Sequence, residues 1–129
     1  MLNRELATAL KAAGVVWVAL DGVPPRVVWH LWHDGFVWTV VGGAEQQLPG
    51  APAGGDAAVP AEVVVRGPQR QGLPAFAVEV SAVEPGSALW DEVVPHLHAT
   101  RLNAVDGEDQ PDRWARASTV LRLQPLPTA

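Results

Sequence analysis

The residues that could do chemistry are few and scattered. The chain has 129 residues, with four histidines and no cysteine. His30 and His33 lie three apart. On one strand that spacing puts them on opposite faces, so they do not share a metal ion. His96 and His98, two apart in a helical stretch, also diverge. Without cysteine there is no thiolate nucleophile, no disulfide and no thiolate metal ligand. Asp106, Glu108, Asp109 and Asp112 crowd one loop. They lack EF-hand spacing and its closing glutamate, so they read as a solvated loop. Ser81, Ser87 and Ser118 sit in no Gly-x-Ser-x-Gly setting, which leaves hydrolysis without a nucleophile. Gly42-Gly43 leads into neither a phosphate loop nor a dinucleotide fingerprint and reads as a strand terminator. No metal site is expected, and no catalytic residue can be named.

The remaining polar–aromatic group is Arg101-Leu102-Asn103-Ala104 with Arg113-Trp114-Ala115-Arg116. Arg101 at a helix C-terminus would complement the helix dipole. Trp114 between arginines could equally clamp an anionic ring system, with Arg101 and Arg116 as its charges. Both readings stay open on the sequence alone.

Charge and composition narrow the partners. Fourteen acidic residues against nine basic ones leave a net charge of −5, and there is a single lysine, Lys11. That balance argues against nucleic acid. No run approaches the ~20 apolar residues of a membrane span. The first fourteen residues are interrupted by Arg4, Glu5 and Lys11, so they are no secretory signal. The cytoplasm is the expected compartment. The surplus of Ala, Val, Gly, Pro and Arg is that of high-GC bacterial coding.

These side chains must be positioned by one small domain over 1–129. Leu2, Leu6, Ala9, Leu10 and Ala13 recur at helical spacing, which predicts a helix over 3–13 within an N-terminal segment 1–14. Val15 to Leu20 reads as a strand, and so do Arg26 to His33 and Phe36 to Val41. Asp34-Gly35 between the last two is a type I′ hairpin signal. It would set His33 opposite Phe36, Leu31 opposite Trp38 and Trp29 opposite Val40. Both faces of this hairpin are apolar, which predicts burial on both sides: a barrel interior on one, a partner subunit or ligand on the other. A long loop is expected over 44–59, then strands at 61–66 and 75–83. A helical segment over 86–102 follows, capped by Ser87 and kinked or broken at Pro95. A loop over 103–116 and a last strand at 119–124 complete the chain. The expected fold is mainly β: a split β-barrel of about six antiparallel strands with two or three short helices.

The string Pro25-Arg26-Val27-Val28-Trp29-His30-Leu31-Trp32-His33-Asp34-Gly35-Phe36-Val37-Trp38-Thr39-Val40 resembles the early hairpin of the pyridoxamine 5′-phosphate oxidase-like family, the flavin-binding split barrels. Arg122-Leu123-Gln124-Pro125 resembles that family's last strand. The element order is similar over about 15–125. The resemblance implies a homodimer that binds FMN, or in some branches deazaflavin F420 or haem, at the subunit interface. By the same resemblance Arg26, with Val27 beside it, matches a phosphate contact. Thr39 and Val40 match positions that meet the flavin, and Gln46 follows them. The chain departs from the family where it usually places basic residues after the third strand. Glu45 and Gln46 stand there instead, and Glu45 would repel a phosphate unless it points away. Arg66, Arg70, Arg101, Arg113 and Arg116 are the cations left to substitute.

The resulting expectation is a flavin-binding split-barrel protein, an oxidoreductase for a small molecule working at a homodimer interface. The competing expectations are a non-enzymatic ligand binder that has lost flavin, and a haem-handling protein of the same fold. Six tryptophans against two phenylalanines and no tyrosine support an interface. Trp29, Trp32 and Trp38 divide between both faces of one hairpin, and indoles favour interfaces.

Overall fold

The computed structural model describes residues 2–100 and 109–127. Among these, seven antiparallel strands form a nearly closed barrel, accompanied by three helices. The elements are α1 (Arg4–Ala12), β1 (Val15–Leu20), β2 (Arg26–Trp29), β3 (Leu31–His33), β4 (Phe36–Val41), β5 (Val59–Val64), β6 (Phe76–Val83), α2 (Ala88–Thr100), α3 (Gln110–Ala117) and β7 (Thr119–Pro125). The strand order is β2-β1-β5-β6-β7-β4-β3.

The Asp34-Gly35 turn does what its chemistry dictates. Both residues take positive φ, at 56° and 80°. His33 pairs with Phe36, Trp32 with Val37 and Leu31 with Trp38. Beyond Leu31 the expected pairing stops. The strand expected over 26–33 is two strands, because His30 turns its ring into the barrel. One ring nitrogen lies 2.8 Å from the Leu10 carbonyl oxygen, and the His30 amide donates to Gly14 O (3.3 Å). β2 therefore pairs with β1, setting Trp29 against Val15 rather than against Val40. The edge strands β2 and β3 are thus consecutive in sequence, and a seam lies between them.

Two apolar cores follow from strand alternation. Inside the barrel lie Val16, Val18, Val28, Val37, Val63, Val78, Val80, Leu121 and Leu123, all about 0–1% exposed. The α1 stripe of Leu6, Ala9 and Leu10 joins this core. Asn3 caps that helix, accepting from the Leu6 amide at 2.8 Å. The second core sits on the outer face of β4 and β7. There Trp38, Val40 and Val120 meet Trp90, Val93, Val94 and Leu97 of α2 and Trp114 of α3. Each such aliphatic side chain, once buried, contributes about 1.5–3 kcal/mol.

This second core corrects the expectation for the hairpin's outer face. Much of that face is covered by α2 and α3 of the same chain. It also corrects the loop expected over 103–116. Residues 110–117 are helical, with Pro111 in the first turn and Gln110 and Trp114 buried one turn apart. The run of acids hid this short amphipathic helix. The part of that loop at 103–108, with Arg101 and Leu102, lies outside the described residues. The helix expected over 86–102 is α2, with Ser87 Oγ accepting from the Trp90 amide (3.1 Å) as its cap. It runs through Pro95 as one element, held by its buried face.

His30 gives the fold a pH dependence. Burial disfavours its charged form and lowers its pKa below the usual histidine value, while the Leu10 carbonyl works weakly the other way. The unfolded chain then binds a proton that the folded chain resists. Stability is full above the unfolded histidine pKa and falls as pH drops through it. Thermal melts at pH 7.5 and 5.5 should show a lower Tm at pH 5.5. The drop should shrink in His30→Gln, and an equal drop in both proteins would refute the assignment.

Candidate functional site

The positions matched by family resemblance converge in part. Thr39 lies in the barrel wall, fully buried. Its hydroxyl donates to Trp29 O at 2.6 Å. Gln46 reaches the same point because Gly42 and Gly43, at φ 85° and 61°, reverse the chain after β4. The Trp29 amide donates to Gln46 Oε1 (2.8 Å). Gln46 Nε2 donates to Thr39 Oγ1 (2.6 Å), Val40 O (3.2 Å) and Trp29 O (3.3 Å). Thr39, Val40 and Gln46 therefore form one cluster across the seam, and the Gln46 amide is engaged on both its oxygen and its nitrogen.

Glu45 points inward. Its side chain is only 5% exposed and accepts from Arg113 Nη2 (3.0 Å) and Trp114 Nε1 (3.1 Å). Two donors thus compensate the burial of this carboxylate. Trp114 is fully buried, with its ring 6.4 Å from that of Trp29. Its indole face is occupied by protein. The expected group around Trp114 is divided: Arg116 is exposed on α3, and Arg101 lies outside the described residues. Arg26 and Val27 are exposed on β2, and no hydrogen bond joins either side chain to the Thr39 cluster among the described residues. Beside Glu45, a Cβ added to Gly43 would come within 2.5 Å of Ala117 O, so α3 seats directly on this turn.

A larger open space lies elsewhere. A groove of about 920 Å³ runs between α1, the start of β1 and the 66–70 turn. Its floor is Ala9, Ala12, Ala13, Gly14, Val15 and Trp17, small or apolar. Arg4, Arg66 and Arg70 edge it, against one carboxylate, Glu5. The Arg66 guanidinium lies 4.6 Å above the Trp17 ring. None of the three arginines is ion-paired among the described residues. This volume and lining suit a sizeable, partly apolar anion. The sequence offers only a faint signal for the groove, namely two arginines flanking the turn formers Gly67 and Pro68.

A smaller space of about 480 Å³ shares Ala13 and Gly14 with it and is lined by Lys11, Trp29, His30, Trp32 and Thr100 among others. On the outer surface His33 stacks on His96, with centroids 4.4 Å apart, and Glu92 lies 3.9 Å from His33. Among the described residues no three His, Asp or Glu side chains converge as a metal site. No helix among them is long and apolar enough to cross a membrane.

No family model matches the sequence, and no curated protein matches it. Solved structures are similar in fold. The haem storage protein HutZ of Vibrio cholerae superposes with a TM-score of 0.61 at 14% identity, over 98% of this chain and 92% of that one. A candidate general stress family protein of Xanthomonas campestris gives 0.62 at 16% identity, over 97% and 86%. A candidate pyridoxamine 5′-phosphate oxidase of Listeria innocua gives 0.59 at 16% identity, over 95% and 91%. At these identities the likeness carries the fold: the chain has the split barrel of pyridoxamine 5′-phosphate oxidase-like proteins.

The Glu45 contacts give a stability prediction. Glu45→Ala leaves Arg113 and the Trp114 indole N–H without this acceptor and should cost about 2–4 kcal/mol in denaturant unfolding. Glu45→Gln keeps the shape and should cost less. Two variants as stable as the parent would show that the contact is not structural.

Proposed function

We propose that this protein binds a flavin mononucleotide-type cofactor in the groove between α1, β1 and the 66–70 turn. A second copy of the chain closes the groove, and the bound cofactor serves redox chemistry on a small molecule. The observation that carries this reading is the groove itself. It combines an apolar floor with three arginines that form no ion pair among the described residues, in a chain of net charge −5. Flavin mononucleotide has the matching chemistry, a planar ring joined to a phosphate. Bound there, it would accept and return a hydride. The chain's own residues would hold it: Trp17 and the alanines against the ring, the arginines against the anion. Arg26, Thr39, Val40 and Gln46 keep a different part in this reading. They shape the seam and the adjoining β2 edge.

The surface beside the groove supports the second copy. Val15 (40% exposed) and Val27 (49%) are the large exposed hydrophobics. Val27 pairs with Trp17, and Val15 lies two residues from it, so all three share the outer face of the β1–β2 pair. Such a strip is better covered than wet. Haem is favoured less, because no histidine lines the groove to ligate iron. A cytoplasmic location completes the proposal.

Purified protein should take up about one FMN per chain, with quenched flavin fluorescence and a light-scattering mass twice the 13.7 kDa of one chain. Val27→Glu should halve that mass and weaken FMN binding at least tenfold. A Soret band with haem but no flavin uptake would favour haem handling. FMN uptake without reduction by NADH or NADPH would favour a non-enzymatic binder.

A further inference from the structure

The second cavity, at the seam, carries polar groups that the groove does not share. We infer that it is a separate binding site for a small hydroxylated aromatic carboxylate, whatever the groove holds. Its volume is about 480 Å³, toward the small end for ligand pockets. Lys11, Trp29, His30, Trp32 and Thr100 line it, with Leu10, Leu31, Ala13 and Gly14 completing the wall.

His30 sets the first requirement. It is only 5% exposed, and its Nε2 lies 2.8 Å from the Leu10 carbonyl oxygen. A carbonyl oxygen only accepts, so Nε2 carries the hydrogen. Burial favours the neutral ring. Nδ1 then holds a lone pair, and this buried atom has no hydrogen-bond partner among the described residues. Buried polar atoms are seldom left in that state. What Nδ1 lacks is a donor, an O–H or N–H that a ligand can bring. Thr100 adds to the same demand. Its hydroxyl donates to His96 O (2.9 Å), which leaves the oxygen as an acceptor.

Lys11 sets the second requirement. It is the chain's one lysine and the one formally charged residue in this lining. It stands in the last turn of α1, next to the residue whose carbonyl His30 engages. It forms no ion pair among the described residues. A single ammonium is a compact point charge and matches a single negative charge. A carboxylate supplies one, whereas a phosphate monoester brings nearly two. The indoles of Trp29 and Trp32 supply the third feature, apolar surface against which one aromatic ring packs. The ligand class is thus a single ring with a carboxylate for Lys11 and a hydroxyl that donates to His30.

The probes are 3- and 4-hydroxybenzoate. Each is compared with its methyl ester, which lacks the charge, and its methoxy analogue, which lacks the donor. Binding to the full chain, with no flavin added, is read by titration calorimetry and by quenching of tryptophan fluorescence. At least one hydroxybenzoate should bind, and its ester and its methoxy analogue should each bind at least fivefold more weakly. Lys11 is exposed, so Lys11→Met spares the core. That variant should weaken the acid to the level of its ester and leave the ester unchanged. The His30 ring-nitrogen resonance should shift with the hydroxybenzoate and stay in place with the methoxy analogue, a readout that leaves His30 itself intact. Absence of binding at millimolar hydroxybenzoate overturns the site. So does parity of the acid with either analogue, an acid affinity untouched by Lys11→Met, or a His30 resonance that does not move. The flavin reading stands or fails separately, on uptake of FMN.

Discussion

A sheet whose two edge strands are consecutive in sequence must leave one seam where the ladder does not run, and everything near this protein's middle answers to that constraint. At His30 the chain leaves β1 and joins β4. The backbone of Trp29 then has no strand facing it across the seam. Unpaired buried amides are costly, so side chains supply what the ladder cannot. The Gln46 amide bonds both the N–H and the C=O of Trp29, and Thr39 adds a hydroxyl. A primary amide has the same donor and acceptor as a peptide group, which is why a glutamine can stand in for a strand.

The same constraint orders the neighbouring charges. To bring Gln46 back onto the seam the chain must reverse after β4, and Gly42-Gly43 makes the reversal. The reversal carries Glu45 inward, where Arg113 and Trp114 meet it. The acid that would disfavour a phosphate in the family's usual place is thus engaged in the protein interior. Arg4, Arg66 and Arg70, which form no ion pair among the described residues, edge the α1 groove instead. The proposed anion site and the barrel closure occupy separate regions of one small molecule.

Much of the fold was legible because local chemistry decided it. Asp34-Gly35 imposed its register, Ser87 its cap, and alternation divided β4 between two interiors. What was not legible depended on distant partners. The His30 break follows from the Leu10 carbonyl, twenty residues away. The two-faced hairpin announced burial but could not say that α2 and α3 would supply the cover. Trp114 between arginines looked like a clamp for a ligand, and only the folded chain shows its indole N–H donating to Glu45. The groove is the hardest case. Arg4, Trp17, Arg66 and Arg70 form no motif, and only the packing of α1 against the barrel brings them to one cavity.

Gly43 holds a consequence for how such a chain can drift. Its missing side chain is what lets Ala117 O approach, so the turn and the end of α3 occupy each other's space. Replacing that glycine alone would lift α3, and with it Trp114, off the second core. Changes at 43 and at 117–118 are therefore permitted only in step. A distant descendant that has lost the glycine should also have remodelled its third helix, and the pair could serve as a marker for sorting divergent chains of this fold.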